Sequence, residues 1–325
     1  MVLILYREPT VDVEAMLEEL AALGVQAEAR SPWELTVRCG AEGVAVSCEG
    51  RPLHPSVVVG WTSLQAREAG YVLLEAFARL GVPIYNGVAA LRTGQSKPLT
   101  SVLLAAHGLP HLPTLICGPE TSPARVVEEL GLPVVLKPLV GAQGTGVRPV
   151  YDVDELAAEF AAARAENTLL YAQAYLEKPH GDLRIQCIDY VATYAMRRLP
   201  APGAFITNLS AGGRFEPVAE MPAAAVELAE RAARLMDAPL AGVDFIETPE
   251  GPRIIEVNMT PGIWKAATLA GAHFEAIAPL YRGAVRRLAR VLVERFVRKE
   301  AVAPAAGAGI HLTREGEGRV DTTHR

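Results

Sequence analysis

The feature that most constrains this chain is a pair of short β-rich runs at residues 242–247 and 253–258. The five residues between them include two prolines and one glycine, a composition typical of turns, so the two runs predict a β-hairpin. We expect Glu247 to pair with Arg253. Because successive side chains of a strand point to alternate faces, this pairing decides which polar groups of the hairpin can act together.

With that pairing, Asp244 lies opposite Glu256, and Asn258 follows two residues later on the same face. Two carboxylates that face each other on a sheet repel unless a cation lies between them, so an Asp244→Asn change is expected to leave the metal-free fold as stable or more so. Mg²⁺ prefers oxygen ligands from a few side chains together with nucleotide phosphates. The hairpin alone leaves two interpretations open, a solvated acidic face and a metal site.

Length and composition limit the class of protein. A chain of 325 residues predicts two or three lobes, and 50% hydrophobic with 21% charged residues is globular composition. The formal net charge of −6 gives no reason to expect nucleic acid as a partner. Apolar runs are too short to cross a membrane, no signal-peptide pattern is present, and the four cysteines show no metal-ligand spacing. We therefore expect a cytoplasmic protein without membrane or nucleic-acid partners.

Lysine is rare in this chain, since only five of its 31 basic residues are lysines. They are Lys97, Lys137, Lys178, Lys265 and Lys299. Because arginine is used elsewhere, each lysine suggests a need for a compact ammonium group. Lys97 stands just before an apolar helix predicted at 101–107, which places its charge near the start of that helix.

A glycine-rich loop follows a predicted strand at 132–136 that ends in Lys137. The loop contains Gly141, Gly144 and Gly146, so its backbone N–H groups can turn toward an anion and a phosphate can approach closely. The loop lacks the Gly-Lys-Ser/Thr ending of a P-loop. A structural turn is the simpler interpretation of such a loop alone, but the lysine four residues upstream favours phosphate binding.

Coarse element patterns divide the chain into four parts. Strands alternating with helices predict a partly parallel sheet in the first part, with a scaffold role and a contribution to one wall of a substrate cleft. A long helix is predicted at 274–299, and its arginines are expected to form a solvated face. The predicted parts are an α/β domain at 1–85, an α+β subdomain with the glycine loop at 86–175, a second subdomain with the metal site at 176–302, and a flexible tail at 303–325.

Polar residues of the third part alternate with apolar ones along a strand near 182–188. Asp182, Arg184 and Gln186 are therefore expected to share one face. The next strand ends in Arg197 and Arg198, and a polar loop with glycines follows at 208–214.

Taken in order, these motifs resemble the ATP-grasp superfamily, and within it the RimK-like and LysX-like amino-acid ligases. The resemblance runs from about residue 86 to residue 262 and is strongest in "VVLKPLVGAQGTGV", "DLRIQC", "FITNLSAGG", "GVDFIE" and "RIIEVN". It implies an ATP-grasp fold, in which two α+β subdomains clasp ATP, preceded by the small α/β N-terminal domain.

The resemblance also implies roles for individual residues. Those implied to bind ATP are Lys97, Lys137, Gly141, Gln143, Gly144, Thr145, Gly146, Gln173, Ala174, Leu176 and Glu177. One or two Mg²⁺ ions, with Mn²⁺ as an alternative, are implied at Asp244, Glu256 and Asn258. Arg184, Arg197 and Asn208 are implied to meet the transferred phosphoryl group and the carboxylate that it activates.

The function implied is an ADP-forming carboxylate–amine ligase that works through an acyl phosphate. It would join a small amino acid, such as glutamate, to an amine or a peptide. Two departures affect this expectation: Ala174 stands where relatives often carry Glu, and Ala211 stands where they commonly carry Arg. A small-molecule kinase and a non-catalytic nucleotide-binding module are the alternatives, and a homo-oligomer is one option for assembly.

Overall fold

Strand β1 (Val2–Leu5), which is buried along its whole length, forms the centre of the N-terminal sheet. The computed structural model describes residues 1–6, 11–62, 66–141, 144–201, 203, 205, 207, 213–261 and 272–298. Three further strands join β1 in parallel, in the order β2-β1-β6-β7: β2 (Ala27–Arg30), β6 (Val57–Gly60) and β7 (Ile84–Tyr85). Helices α1 (Val11–Ala22) and α2 (Arg67–Arg79) connect them.

The strands that directly follow β2 in the chain do not join this parallel sheet. They form a separate antiparallel sheet of β3 (Leu35–Gly40), β4 (Gly43–Cys48) and β5 (Arg51–Pro52). Short connections favour this arrangement, because adjacent antiparallel strands need only a tight turn whereas parallel strands need a crossover.

A third sheet, the central sheet, lies in the middle of the chain and is wholly antiparallel, in the order β10-β9-β11-β8. Its strands are β8 (Thr114–Cys117), β9 (Val134–Lys137), β10 (Arg148–Val150) and β11 (Leu170–Ala174). The helices of this region are α3 (Val88–Gln95), α4 (Lys97–Ala106), α5 (Pro123–Leu130) and α6 (Val153–Ala165). Ser96 caps α4, so Lys97 stands at the first position of that helix.

The fourth sheet has five antiparallel strands in the order β14-β13-β12-β15-β16. They are β12 (Asp182–Ile188), β13 (Val191–Leu199), β14 (Arg214–Val218), β15 (Leu240–Thr248) and β16 (Gly251–Asn258). Helix α7 (Ala223–Leu235) packs on one face. Helix α8 (Ala272–Leu292) runs on into a π-helical turn, Val293–Val297, where a single long helix was predicted.

The hydrophobic cores show how these parts are joined. Leu74 and Phe77 of α2 share one core with Leu228 of α7 and Phe245 of β15. The residues of the central sheet form a smaller core of their own, which includes Leu136. The N-terminal sheet and the five-stranded sheet therefore pack together, while the central sheet is held as a separate layer.

A second shared core joins the N-terminal sheet to α8, because Met16 of α1 packs in the same cluster as Val2 of β1 and Leu288 of α8. The mixed α+β class expected from the sequence is confirmed. The division at residues 85, 175 and 302 stays a prediction, and the tail at 303–325 lies outside the described residues. None of the described helices is both long and apolar enough to cross a membrane.

Candidate active site

The predicted hairpin is present, but its register differs from the expected one near the turn. Glu247 pairs with Pro252 rather than with Arg253. One extra residue, Ile255, then forms a bulge between the pairs Phe245–Ile254 and Asp244–Glu256. The bulge cancels the shift, so Asp244 does lie opposite Glu256 as predicted.

Asp244 is fully buried, and its carboxylate is held by two guanidinium groups. Arg184 donates from Nε and Nη2 to Oδ1 and Oδ2 of Asp244 at 2.6 and 2.7 Å, and Arg198 donates from Nη2 to Oδ2 at 2.7 Å. Burial alone would raise the pKa of Asp244, but the two arginines hold it well below its usual range. Arginine therefore supplies the cations that this carboxylate needs.

Arg198 connects Asp244 to a second buried carboxylate on β12. Its Nε donates to Oδ1 of Asp182 at 2.5 Å, and the hydroxyl of Thr207 donates to the other carboxylate oxygen of Asp182. Burial would lower the pKa of Arg198, but Asp182 and Asp244 raise it. We call Arg184, Arg198, Asp182 and Asp244 the arginine wall.

Arg197, which the resemblance implied as a catalytic residue, lies on the opposite face of β13. It pairs with Leu183 across the sheet, and its Nη1 donates to Glu247 at 2.7 Å and to the carbonyl of His180 at 3.2 Å. Because side chains alternate along a strand, only one of the adjacent residues Arg197 and Arg198 can face Asp244. The structure brings Arg198 to this face and does not bring Arg197 there.

Lys137 faces the arginine wall from the end of β9. Its Nζ donates to Oε1 of Gln173 at 2.6 Å. Burial lowers the pKa of Lys137 to about 8, and the nearby carboxylate of Glu256 opposes the shift only in part. The ammonium group is therefore desolvated and has a neutral partner.

Two more lysines lie beside Lys137. Lys97 donates from Nζ to the carbonyl of Gly141 at 3.1 Å, and the ammonium of Lys178 stands 4.4 Å from the ring centroid of Phe205. Burial lowers the pKa of both lysines. We call Lys97, Lys137 and Lys178 the lysine wall. Because its three ammonium groups are desolvated and have uncharged contacts, this wall is suited to bind an anion.

The glycine loop borders the lysine wall. Gly141, Gly144 and Thr145 line the cleft, and Gly144 and Gly146 both have a φ of 73°. A Cβ on Gly146 would also lie 2.8 Å from Cγ of Pro138. The backbone conformation at position 146 and the nearby Pro138 therefore both require a glycine there, whether or not the loop binds phosphate.

The end of β11 and the connector that follows it form the third side of the cleft. Gln173, Ala174 and Leu176 line it, while Glu177 is exposed and lies just beyond the lining. The N–H of Ala174 already donates to the carbonyl of Pro113 at 2.8 Å, so a bound base would meet the carbonyl of Ala174 instead.

Together these residues enclose a cleft of about 780 Å³, including space open to solvent. The glycine loop and the lysine wall give one side that suits phosphates, and the connector gives a less charged end. The cleft has the charge distribution for a nucleoside triphosphate.

The residues at the bulge fit a hard divalent cation. Asn258 Nδ2 lies 3.3 Å from Oδ2 of Asp244 and 3.2 Å from Oε1 of Glu256. The orientation of such an amide is an assignment, and turning it would present its oxygen beside the carboxylate oxygens. Oxygen donors from two carboxylates and one amide are a ligand set that Mg²⁺ accepts. Among the described residues no three His, Cys, Asp or Glu side chains form a metal cluster, because the third donor here is an asparagine.

Several residues of the cleft were not assigned to it from the sequence. These are Lys178, Asp182, Arg198, Phe205 and Thr207. The rarity of lysine is a signal that could have identified Lys178, and alternation from Asp182 through Arg184 could have identified Asp182. Two residues implied by the resemblance, Gln143 and Asn208, lie outside the described residues, as does Ala211.

The fold and the cleft define an ATP-grasp protein, and comparison with known proteins agrees. Residues 94–276 match the model of the RimK-like ATP-grasp domain. Two curated proteins named "Probable alpha-L-glutamate ligase" are similar. One, from Aeromonas salmonicida (strain A449), is 29% identical over 275 residues, which are 82% of this chain and 91% of that protein. The other, from Xanthomonas axonopodis pv. citri (strain 306), is 30% identical over 236 residues, which are 71% of this chain and 79% of that protein.

Among solved structures, the ATP-grasp ligase PsnB in complex with a minimal precursor, Mg and ADP has a similar fold. The TM-score is 0.65 at 20% sequence identity, and the alignment covers 90% of this chain and 98% of that one. Since the family model matches more than half of the chain, the chain belongs to the RimK-like ATP-grasp family. It is an ATP-dependent ligase.

Proposed function

We propose that this protein is an ADP-forming carboxylate–amine ligase that activates an amino-acid carboxylate, with glutamate as the first candidate, and joins it to an amine or a peptide. The observation that carries the proposal is the pairing of two walls around one cleft. The lysine wall has no carboxylate partner in the described structure, and the arginine wall lies within reach of the residues suited to a metal ion. The names of the relatives support glutamate, and the precursor in the solved neighbour supports a peptide acceptor.

Binding of ATP would use the residues of the cleft in distinct ways. Lys97, Lys137 and Lys178 hold the phosphates, and the connector from Gln173 to Leu176 holds the base. The glycine loop covers the phosphates and keeps water away from them. Removal of water strengthens each ammonium–phosphate contact, because the effective dielectric falls.

Asp244, Glu256 and Asn258 would hold one or two divalent ions, Mg²⁺ or Mn²⁺, which neutralise charge on the phosphates during transfer. Arg184 and Arg198 fix Asp244 by charge-assisted hydrogen bonds, so this carboxylate is already oriented. We assign to Arg198 the role that the resemblance implied for Arg197. The role of Asn208 stays a prediction.

The chemistry follows from the weakness of a carboxylate as an electrophile. Transfer of the terminal phosphoryl group to the substrate carboxylate makes an acyl phosphate with a good leaving group. The uncharged amine then attacks the acyl carbon, and the charge that develops on the oxygen is stabilised by Arg198. The C–O bond to phosphate breaks, the amine loses a proton, and an amide and inorganic phosphate are released.

Trapping of the acyl phosphate tests this function. Enzyme, MgATP and L-glutamate with hydroxylamine should yield glutamyl hydroxamate and ADP. Arg198→Lys should lower this yield about tenfold, because the loss of one hydrogen bond to a charged group costs about 1.5 kcal/mol. The matched variant Arg197→Lys should retain the yield to within about twofold, since its partner Glu247 is exposed.

The same experiment separates a ligase from a small-molecule kinase. A phosphate ester of an alcohol does not react with hydroxylamine. A stable phosphorylated alcohol, with no hydroxamate from any carboxylate tested, would refute the acyl-phosphate mechanism.

A further inference from the structure

A second cavity of about 430 Å³ opens beside the nucleotide cleft, and we call it the side compartment. It shares four residues with the cleft: Lys97, Gly141, Ile255 and Glu256. The bulge in β16 explains part of this connection, because it lets the successive residues Ile255 and Glu256 both face the cavities. A molecule in the side compartment would therefore lie next to the residues that bind phosphate and metal.

Buried hydrogen bonds fix the walls of the side compartment. The hydroxyl oxygens of Ser101 and Tyr171 lie 2.8 Å apart, and both side chains are buried. The hydroxyl of Thr100 donates to the carbonyl of Thr93 at 2.9 Å. Buried polar groups held in this way keep one arrangement, so the compartment has a defined shape.

The side compartment differs from the cleft in its charge. Among the described residues, the charged side chains that line it are Lys97 and Glu256, which also line the nucleotide cleft. The other polar groups of this described lining are hydroxyls, amides and the imidazole of His111, and none of the arginine wall lines it. Burial and the nearby Arg253 lower the pKa of His111, so the imidazole is uncharged in neutral solution. Within the described lining, a second carboxylate would find only the ammonium of Lys97, which the nucleotide phosphates also need.

An amine suits these walls better than an acid. The attacking amine must be uncharged, and once Glu256 holds a metal ion the described lining offers no other carboxylate that would favour the ammonium form. Hydroxyl oxygens of Ser101 and Tyr171 and a ring nitrogen of His111 can accept its N–H groups. Glu256 and Asn258, the residues suited to a metal ion, also line this compartment, so an amine bound here would lie next to them.

We propose that the side compartment receives the amine-bearing substrate, and that Ser101 and His111 determine how well it fits. This inference rests on the proposed carboxylate–amine ligase function. The substrate carboxylate would then lie at the arginine wall, and the amine would lie on the opposite side of Glu256 and Asn258.

The test measures the two half-reactions separately, with L-glutamate as the carboxylate. Hydroxamate formation reports activation, and amide formation with a panel of amino-acid amides reports use of the amine. Ser101→Val and His111→Leu should each raise the KM for the best amine about tenfold, as expected for one lost hydrogen bond. The rate of hydroxamate formation and the KM for glutamate should stay within about twofold of wild type.

His107→Leu is the matched control, because His107 is exposed at the end of α4, where its Nδ1 lies 3.0 Å from the carbonyl oxygen of Leu103. It should leave all three quantities unchanged, and melting temperatures should show that each variant is folded. An unchanged KM for the amine in both compartment variants, or a raised KM for glutamate instead, would overturn the assignment.

Two further outcomes are decisive. If wild-type enzyme forms hydroxamate but no amide with any member of the panel, the compartment does not take an amine of this size and the inference fails alone. If wild-type enzyme forms neither hydroxamate nor ADP with any carboxylate tested, the proposed function fails and the inference fails with it.

Discussion

The two walls of the cleft carry positive charge in opposite ways. Within the described part of the chain, the contacts of the lysine wall are uncharged: a carbonyl of Gly141, the amide of Gln173 and the ring of Phe205. The guanidinium groups of the arginine wall are ion-paired, since they donate to Asp182 and Asp244. Asp182, Asp244 and Arg198 are buried, whereas Arg184 and the three lysines are partly buried, and the main difference between the walls lies in their partners.

This difference indicates two physical roles. A buried ammonium without a carboxylate is destabilising until an anion arrives, which is why the pKa values of the lysines are lowered. A guanidinium stays protonated even when buried, and its planar fork holds a carboxylate in one orientation. The lysine wall is therefore a receptor for phosphate, and the arginine wall is a fixed frame for the metal-binding carboxylate.

Removal of the carboxylate at the centre of the arginine wall should have the largest effect. Asp244→Asn leaves Arg184 and Arg198 buried without their partner, so the free energy of unfolding should fall by about 3 kcal/mol. Turnover should fall at least about 100-fold. Urea unfolding and ADP release measure the two effects.

This prediction reverses the sign expected from the sequence, where repulsion from Glu256 made Asp244→Asn neutral or stabilising. Glu247→Gln is the control, since its ion pair with Arg197 is exposed and its loss should cost less than about 1 kcal/mol. An Asp244→Asn protein as stable as wild type would show that the arginines do not depend on this carboxylate.

Replacement of a lysine should have the opposite effect on stability. Lys137→Met keeps the apolar stem and removes a desolvated charge, so the nucleotide-free protein should be as stable as wild type or more so. Its Kd for ATP should rise about tenfold or more, because a charged hydrogen bond to phosphate is lost. Calorimetry and urea unfolding measure these changes. Arg125→Met on the exposed face of α5 should alter neither quantity, and wild-type ATP affinity in Lys137→Met would contradict a phosphate role.

The dependence of the unfolding free energy on pH should be the smallest of the predicted effects. The pKa of Lys137 is about 8 in the folded protein and 10.5 ordinarily. Below about pH 8 both states are protonated and the cost of burying the charge is fully present. Between the two pKa values the unfolded state binds more protons, so stability rises with pH. The difference in unfolding free energy between wild type and Lys137→Met should shrink over this range.

Nucleotide binding should show the reverse trend. Phosphate prefers the ammonium form, so affinity for ATP should fall as the pH passes about 8, and Lys137→Met should lose most of this dependence. A dependence that persists unchanged in the variant would place the titrating group elsewhere.

Much of the site could be predicted from local patterns. A lysine at a strand end before a glycine loop is visible in the sequence, and so is the alternation that puts Asp182 and Arg184 on one face. The pairing of Asp244 with Glu256 was also predicted, although it depends on a bulge at Ile255 that no local pattern indicated. The predicted register was wrong by one residue at the turn, and the extra residue in β16 restored the predicted pairing further along the hairpin.

The choice between Arg197 and Arg198 could not be made in this way. Two adjacent residues at the end of a strand differ only in the face that they present, and β13 carries an irregularity where it pairs with Gln186 and Cys187. Such a shift changes the face of every later side chain. The resemblance named Arg197, whereas the residue on the face of Asp244 is its neighbour Arg198.

The sequence by itself determined the chemistry that is available: scarce lysines, a glycine loop, and carboxylates on a hairpin, with a family resemblance that the comparisons confirm. Only the tertiary structure decided how those groups are paired. Asp244 and its partner Arg184 are 60 residues apart, and Lys137 and Gln173 are 36 apart. Periodicity and composition are local properties, whereas burial and ion pairing arise from contacts between distant segments, and these contacts set the pKa of a charged group and its effect on stability.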